Sequence, residues 1–494
     1  MQVQQQAIAA LRGAAQSSRK PVPRISRLGS ALVSARARFA VFAGFLLLVA
    51  LTGGSSRPDV ASLMVLRPAA VLFAGYAWLV ASPSQLGAIR VPLLVVAGLM
   101  LVTLLQLVPL PVAIWTGLPH RDDVLEAGGL AGMGDLPRPL SFDPSRTWNT
   151  FFALIVPLAA ILLAGIQERG RVIPSLMAVG LLSVLLGFLQ AVGGGGLVLY
   201  DITHRGFPVG LFANKNHQAV LLLWLMMAAS WFVTVTDPRR LSSGAAIGGA
   251  LAVILVLFPL LVLTGSRAGL ALYPLVLLVS GWLLYRSPAA KSVVRGVGKR
   301  ARAILVVAGA CLVAPLLFVF AVLWASGRQT ALSRLFELEA AEDLRWQFTP
   351  TFLDMARDFL PFGSGFGSFE KLFRSYEPAN MLTTRYMNQV HNDWLQLVIE
   401  GGIPALTIAL VALLWLLRST WRVWRSAAPG AQAHAAFLGC SILLWLIASV
   451  VDYPLRTPLG AALVAALTAQ LSMLSTALRS GSRGLDSREP AQAR

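Results

Sequence analysis

The sequence predicts an all-α polytopic membrane protein of about 12 transmembrane helices, with a large helical loop on the extracytoplasmic side. Three observations predict it. The chain is 56% hydrophobic and 13% charged, with a mean hydropathy of +0.70, far too apolar for a soluble domain. Apolar stretches close to membrane-spanning length recur along it. Lys and Arg favour alternate connections, as the positive-inside rule requires.

Residues 1–38 carry seven Lys and Arg and no acid, the composition of a basic cytoplasmic tail. The short apolar run after it has the length of a signal peptide. The basic region is long, however, and no small-x-small cleavage site follows, so the run is read as an uncleaved first span. Twelve spans are predicted, at 39–53, 64–82, 91–110, 150–166, 172–193, 219–236, 245–264, 268–285, 303–325, 394–417, 435–451 and 458–478. The domain boundaries that follow are a tail over 1–38, helices 1–9 over 39–325, a loop domain over 326–393, helices 10–12 over 394–478 and a second tail over 479–494. Connections 111–149 and 326–393 exceed ordinary loop length, which points to function.

With the N-terminus in the cytoplasm, 25 of the 41 Lys and Arg fall inside, together with only 4 of the 22 acids. The net charge is then +21 inside and −2 outside. The formal charge of +19 therefore reads as positive-inside bias and not as a nucleic-acid surface. Cys311 and Cys440 lie in apolar runs and the five histidines are scattered. Neither a disulfide framework nor a metal centre is expected, and no cofactor. Every connection with unusual polar residues falls on the outer side.

The first such connection, 194–218, contains His204-Arg205-Gly206-Phe207 and Asn214-Lys215-Asn216-His217 just before an apolar run. Capping of the coming helix accounts for one asparagine. It does not account for two amides, a lysine, a histidine and an arginine together, and a helix N-terminus with Arg205 and Lys215 suits an anion. The second is Thr264-Gly265-Ser266-Arg267-Ala268-Gly269. A snorkelling arginine is the ordinary explanation, but arginine is also the natural bidentate partner of phosphate. The third is the loop 326–393. There Leu332, Leu335 and Phe336, then Phe352, Met355 and Phe359, suit amphipathic helices on the membrane surface or roofing a cavity. Pro361-Phe-Gly363-Ser-Gly365-Phe366-Gly367 follows, with glycines that permit a tight turn near a ligand. The loop ends in Arg385 and His391-Asn392-Asp393, and Glu400-Gly401-Gly402 lies within the next span. Polar groups entering a membrane helix usually have a function. Glu400 is expected to pair with an arginine such as Arg267. Asp452 and Arg456, in the last outer turn, read as a structural ion pair. Arg67 and Trp115 read as interface anchors.

Arg205, Lys215, Arg267, Arg385 and His391 together make a cationic site with one plausible base. Paired carboxylates at a hydrolytic spacing are missing, and so is a nucleotide P-loop.

These motifs in series resemble the O-antigen ligase and polysaccharide polymerase superfamily, best over 204–402. The resemblance implies a GT-C-type glycosyltransferase of the bacterial inner membrane, with its active site facing the periplasm. It implies transfer of a glycan from an undecaprenyl-diphosphate-linked donor to a glycan or lipid A core acceptor, without metal or nucleotide. His391, Arg267 and Arg205 take the catalytic roles in that picture. Asn214, Lys215, Asn216, Ser266, Arg385, Asn392 and Glu400 contact substrate. The ligase label is preferred, with a polymerase of exopolysaccharide or O-antigen as the alternative. A polysaccharide transporter or flippase is the competing class, but it favours midplane sites and inverted repeats. An envelope assembly protein would not need His391 and two arginines in concert. Membrane lipids are the remaining partner, and nucleic acid is not one.

The charge bias predicts that single-cysteine labelling reaches residues 194–218 and 326–393 from outside and residues 286–302 from inside. Cytoplasmic labelling of 326–393 would sink the extracytoplasmic site.

Overall fold

The computed structural model describes residues 32–168, 170–193, 196–237, 241–290, 346–382, 387–426 and 429–486. The predicted ninth span 303–325, most of both tails, the segment with Leu332, Leu335 and Phe336, and Arg385 lie outside the described residues.

Among the described residues, ten helices are long and apolar enough to cross a membrane. They include α1 (Ala35–Thr52), α2 (Leu63–Val80), α4 (Pro144–Gly165), α5 (Val172–Val192), α6 (Lys215–Val235), α7 (Ser243–Leu263) and α8 (Arg267–Arg286). The others are α11 (Asp393–Ser426), α12 (Pro429–Ala448) and α13 (Pro458–Asp486). A shorter apolar helix, α3 (Arg90–Leu105), matches the predicted third span. Several helices outrun the predicted spans, because hydropathy marks only the apolar part. Thus α11 continues past Leu417 through the basic turns to Ser426.

α6 is the axis of the bundle. Nearly every residue from His217 to Thr234 is buried, against α7, α8 and α12. A second group of helices, α2, α4 and α13, packs around α4. Helix α1 belongs to the same core, through Phe42, Phe45, Leu46, Val49 and Ala50.

The long connections fold over one end of this bundle. Just before 111–149, a two-residue β1 (Pro109–Leu110) pairs antiparallel with β2 (Arg138–Pro139) inside it. Trp115 is buried, with the guanidiniums of Arg121 and Arg138 over its ring. It is therefore a core residue of this loop and not an interface anchor. Asp143 caps α4 by accepting the Arg146 N–H at 3.1 Å. The described part of 326–393 contains α9 (Thr349–Asp358) and α10 (Phe369–Tyr376). Phe352, Met355 and Phe359 are buried as the amphipathic pattern predicts, in a cluster with Phe369, Phe373, Val390 and Ile399.

The glycine run between α9 and α10 has a reason other than ligand contact. α11 breaks at Gly402, whose φ of 60° and ψ of −158° are not helical. The run 361–367 lies on that break and satisfies its backbone. Ser364 donates to Ile399 O, Gly365 donates to Glu400 O, and Ile403 donates to Pro361 O, at 2.8–3.0 Å. Irregular backbone at this depth needs such partners. A Cβ on Gly402 would stand 2.3 Å from Pro361 O, and one on Gly363 would stand 2.4 Å from Glu400 O.

Gly402→Ala should therefore lower stability by about 1–3 kcal/mol, because it combines a clash with a glycine-only conformation. Thermal unfolding in detergent reads this as a lower midpoint. An unchanged midpoint would remove the steric account of the break.

Candidate functional site

Three helices begin at the same cavity. Asn214 caps α6, its Oδ1 accepting the Asn216 N–H at 2.9 Å. Ser266 caps α8, its hydroxyl accepting the Gly269 N–H at 3.1 Å. Asn392 accepts the Leu395 N–H at 3.0 Å as α11 starts. Each residue type is a preferred cap because its short polar side chain replaces a missing helical acceptor. Gly265, with φ of 61°, makes the tight turn that lets α8 start directly after α7. Three helix N-termini present partial positive charge to one place.

The cavity encloses about 660 Å³. Arg267, Asn216, His391 and Asn392 line its polar side. Trp346, Thr349 and Phe352 close it from the loop, so the sequence's roof is there. Ile447, Val450 and Val451 at the end of α12 supply an apolar flank.

Beneath His391 lies Asp452, 3% exposed. His391 Nδ1 is 3.6 Å from Asp452 Oδ1, and His217 Nε2 is 3.7 Å from the same oxygen. Asn216 donates to Asp452 Oδ2 at 2.6 Å and Asn214 donates at 3.2 Å. The Asp452 carboxylate thus gathers the start of α6 and the His391 loop. Burial alone would push this carboxyl up. Hydrogen bonds and charge from His217 and His391 outweigh burial and hold it well below the usual carboxylate range. The Tyr453 ring stands 4.7 Å from the His391 ring. His391 has φ of 59°, a left-handed conformation that a non-glycine residue adopts when its surroundings impose it.

Glu400 is fully buried and does not reach Arg267. It meets Arg456 at 3.4 Å and also accepts from Gln396 and from Phe369 N. Arg456 bonds Asp393 at 3.0 Å. Burial alone would lower the Arg456 pKa, but Glu400 and Asp393 outweigh it and raise it above the ordinary value. Asp452 and Arg456 each have ionic partners from other elements, on opposite sides of the 388–397 segment. Residues 390, 391, 392 and 395 face the His391 cavity, whereas 388, 389, 393, 394, 396 and 397 face a second one. Glu400 lines that second cavity.

Three predicted residues stand apart from the His391 cavity. Lys215 is buried, its Nζ 4.1 Å from the centre of the Phe207 ring, and its N–H donates to His204 Nδ1 at 3.2 Å. Arg205 is exposed on the neighbouring loop, its guanidinium 3.4 Å from the Asp201 carbonyl. Arg385 lies outside the described residues. Ser266 is a buried cap. The side chains of Asn214 and Asn216 are turned to Asp452, and that of Asn392 to its helix.

Residues 252–410 match the family model described as O-antigen ligase. The match supports a place in the O-antigen ligase and polysaccharide polymerase superfamily. No curated protein matches it. The matched stretch holds Arg267, His391 and Glu400 and stops short of Asp452. The match supports function of the ligase or polymerase type in general, and the ten apolar helices support a multi-pass membrane protein. Asp452 and Tyr453 are the site residues that motif reading passed over as turn structure. The available signal was an acid on a face whose other motifs are cationic.

A depressed folded pKa means that Asp452 contributes its stability above the unfolded value of about 3.9, and loses it as pH falls toward the folded value. The stability difference between wild type and Asp452→Asn should be present at about pH 5 and shrink below about pH 4. Thermal denaturation against pH measures it. A difference independent of pH would mean that the carboxylate charge is not what holds the site.

Proposed function

We propose that the protein is an inverting glycosyltransferase that moves a glycan from an undecaprenyl-diphosphate donor to an acceptor hydroxyl at the periplasmic face. The observation that carries this reading is the convergence of Arg267, three helix N-termini and a His391–Asp452 pair on one cavity. A diphosphate next to Arg267 receives two kinds of positive charge, the guanidinium and the helix ends. Both count most when the leaving diphosphate gains charge in the transition state. Arg205, exposed on the loop next to His204, supplements them from outside the cavity. Lys215 and Arg385 are further proposed substrate contacts.

His391 acts on the acceptor. Its Nδ1 faces Asp452, and a carboxylate there keeps the proton on Nδ1 and leaves Nε2 as base. The acceptor oxygen bonds the anomeric carbon as the carbon–phosphate oxygen bond breaks. The electron pair leaves with the diphosphate and the hydroxyl proton goes to Nε2. Asp452 then stabilises the imidazolium. One direct displacement inverts the anomeric centre. The ligase form, with a lipid A core acceptor, is the preferred label. Joining of two lipid-linked repeat units would use the same donor chemistry.

His391→Ala and Arg267→Ala should each reduce transfer by about 10² or more while the protein stays in the membrane. Arg267→Lys should recover little, since lysine offers a point charge where a bidentate contact is needed. Wild-type transfer by either alanine variant removes that residue from the mechanism. For the label, a deletion strain that accumulates full-length polymer on the carrier supports a ligase, and one that accumulates single units supports a polymerase.

A further inference from the structure

The second cavity, on the other side of the 388–397 segment, encloses about 360 Å³. Four arginines reach it: Arg57, Arg67, Arg146 and Arg456. Three of them have carboxylate partners. Arg456 meets Asp393 and Glu400, Arg146 meets Glu370 at 3.6 Å, and Arg57 meets Asp59 at 2.7 Å. The carboxylates of Glu370, Asp393 and Glu400 are thereby matched within the cavity wall. Arg67 is different. It lies in the second turn of the membrane helix α2, and its Nε is buried with no hydrogen-bond partner among the described residues. A guanidinium donor in that position calls for an acceptor from elsewhere.

Arg67 also stands where three spaces meet. It lines the interior cavity, a shallow cleft by Arg146, Trp148 and Asn149, and a groove of about 730 Å³ on the outside of the bundle. That groove runs between α2 and α4 past Met64, Pro68, Val71, Phe152 and Ile155. Met64 and Val71 are 76% and 50% exposed, on a surface that faces lipid in a membrane. An apolar channel open to the bilayer thus leads to an arginine whose Nε has no hydrogen-bond partner among the described residues, and from there to a polar interior. The shape fits a lipid tail outside and an anionic headgroup inside.

We propose that this is a second lipid site, taking a phosphate-bearing glycolipid whose phosphate is held bidentately by Arg67, and that its occupant is the acceptor. The assignment rests on the donor reading of the Arg267 cavity, because the reaction needs two amphiphilic substrates and the two cavities share one wall. The wall carries His391 on its donor side and Asp393 on its acceptor side. The acceptor sugar would cross the wall to meet the base.

The test uses the full-length protein in phosphatidylcholine nanodiscs, with undecaprenyl phosphate as probe and native mass spectrometry as readout. Wild type should retain two probe molecules. Arg67→Ala should retain one, and Ala153→Phe, which fills the same cavity without touching charge, should also retain one. Arg267→Ala should retain one as well. In transfer assays Arg67→Ala should raise KM for the acceptor about tenfold with kcat and the donor KM near wild type. Retention of two molecules by both Arg67→Ala and Ala153→Phe overturns the site. Replacement of the Arg67-dependent molecule by phosphatidylglycerol at equal concentration makes it an ordinary bilayer-lipid site and overturns the acceptor role. If Arg267→Ala keeps both molecules while Arg67→Ala loses one, the second site stands and the donor reading falls.

Discussion

One buried carboxylate holds the site together. Asp452 sits in the turn between α12 and α13, and its oxygens face two histidines and two asparagine amides from other parts of the chain. A buried charge is tolerated only when it is paired and hydrogen-bonded. Here that requirement fixes where α6 starts and where the His391 loop rests. The caps of α6 and α11 lie within two residues of Asp452's partners. The direction of the helix N-termini toward the cavity is thus tied to the same ionic contact. Removing the carboxylate would leave imidazole and amide donors facing an apolar turn.

The same short turn serves the other side of the wall through Arg456. Its bonds to Asp393 and Glu400 clamp the first two turns of α11, and the glycine run 361–367 covers the break that follows. The His391 segment is therefore held from both faces by residues four positions apart. That rigidity suits the role proposed for His391, since a base must be held within about an ångström of its working position. It also explains why a charged residue as deep as Glu400 is present: it is a partner of Arg456 and Gln396.

Much of the fold was legible because membrane helices must bury backbone polarity within themselves, so hydropathy alone marks them. The cap residues and Arg267 were legible because their types are unusual at the mouth of an apolar run. The network below them was not. Asp452 lies 238 positions from Asn214, and nothing local distinguishes it from an ordinary turn acid. Glu400 was matched with Arg267 on proximity of motif, whereas the fold brings Arg456 to it. Arg67 looked like an interface anchor because one arginine near a helix start usually is one. Only the meeting of α2 with α4 shows that it opens on a cavity. The glycine run was read as a ligand turn because glycine frees the backbone for any close approach. Here the approach is to Gly402.

The central claim is that Asp452 acts through His391, and a double-mutant cycle on transfer tests it most directly. The rates of Asp452→Asn, His391→Gln and the double variant are compared with wild type in one nanodisc assay. The account predicts that the double variant is no slower than His391→Gln alone, because an absent base cannot be oriented. Losses that multiply, each single change slowing transfer independently, would contradict it.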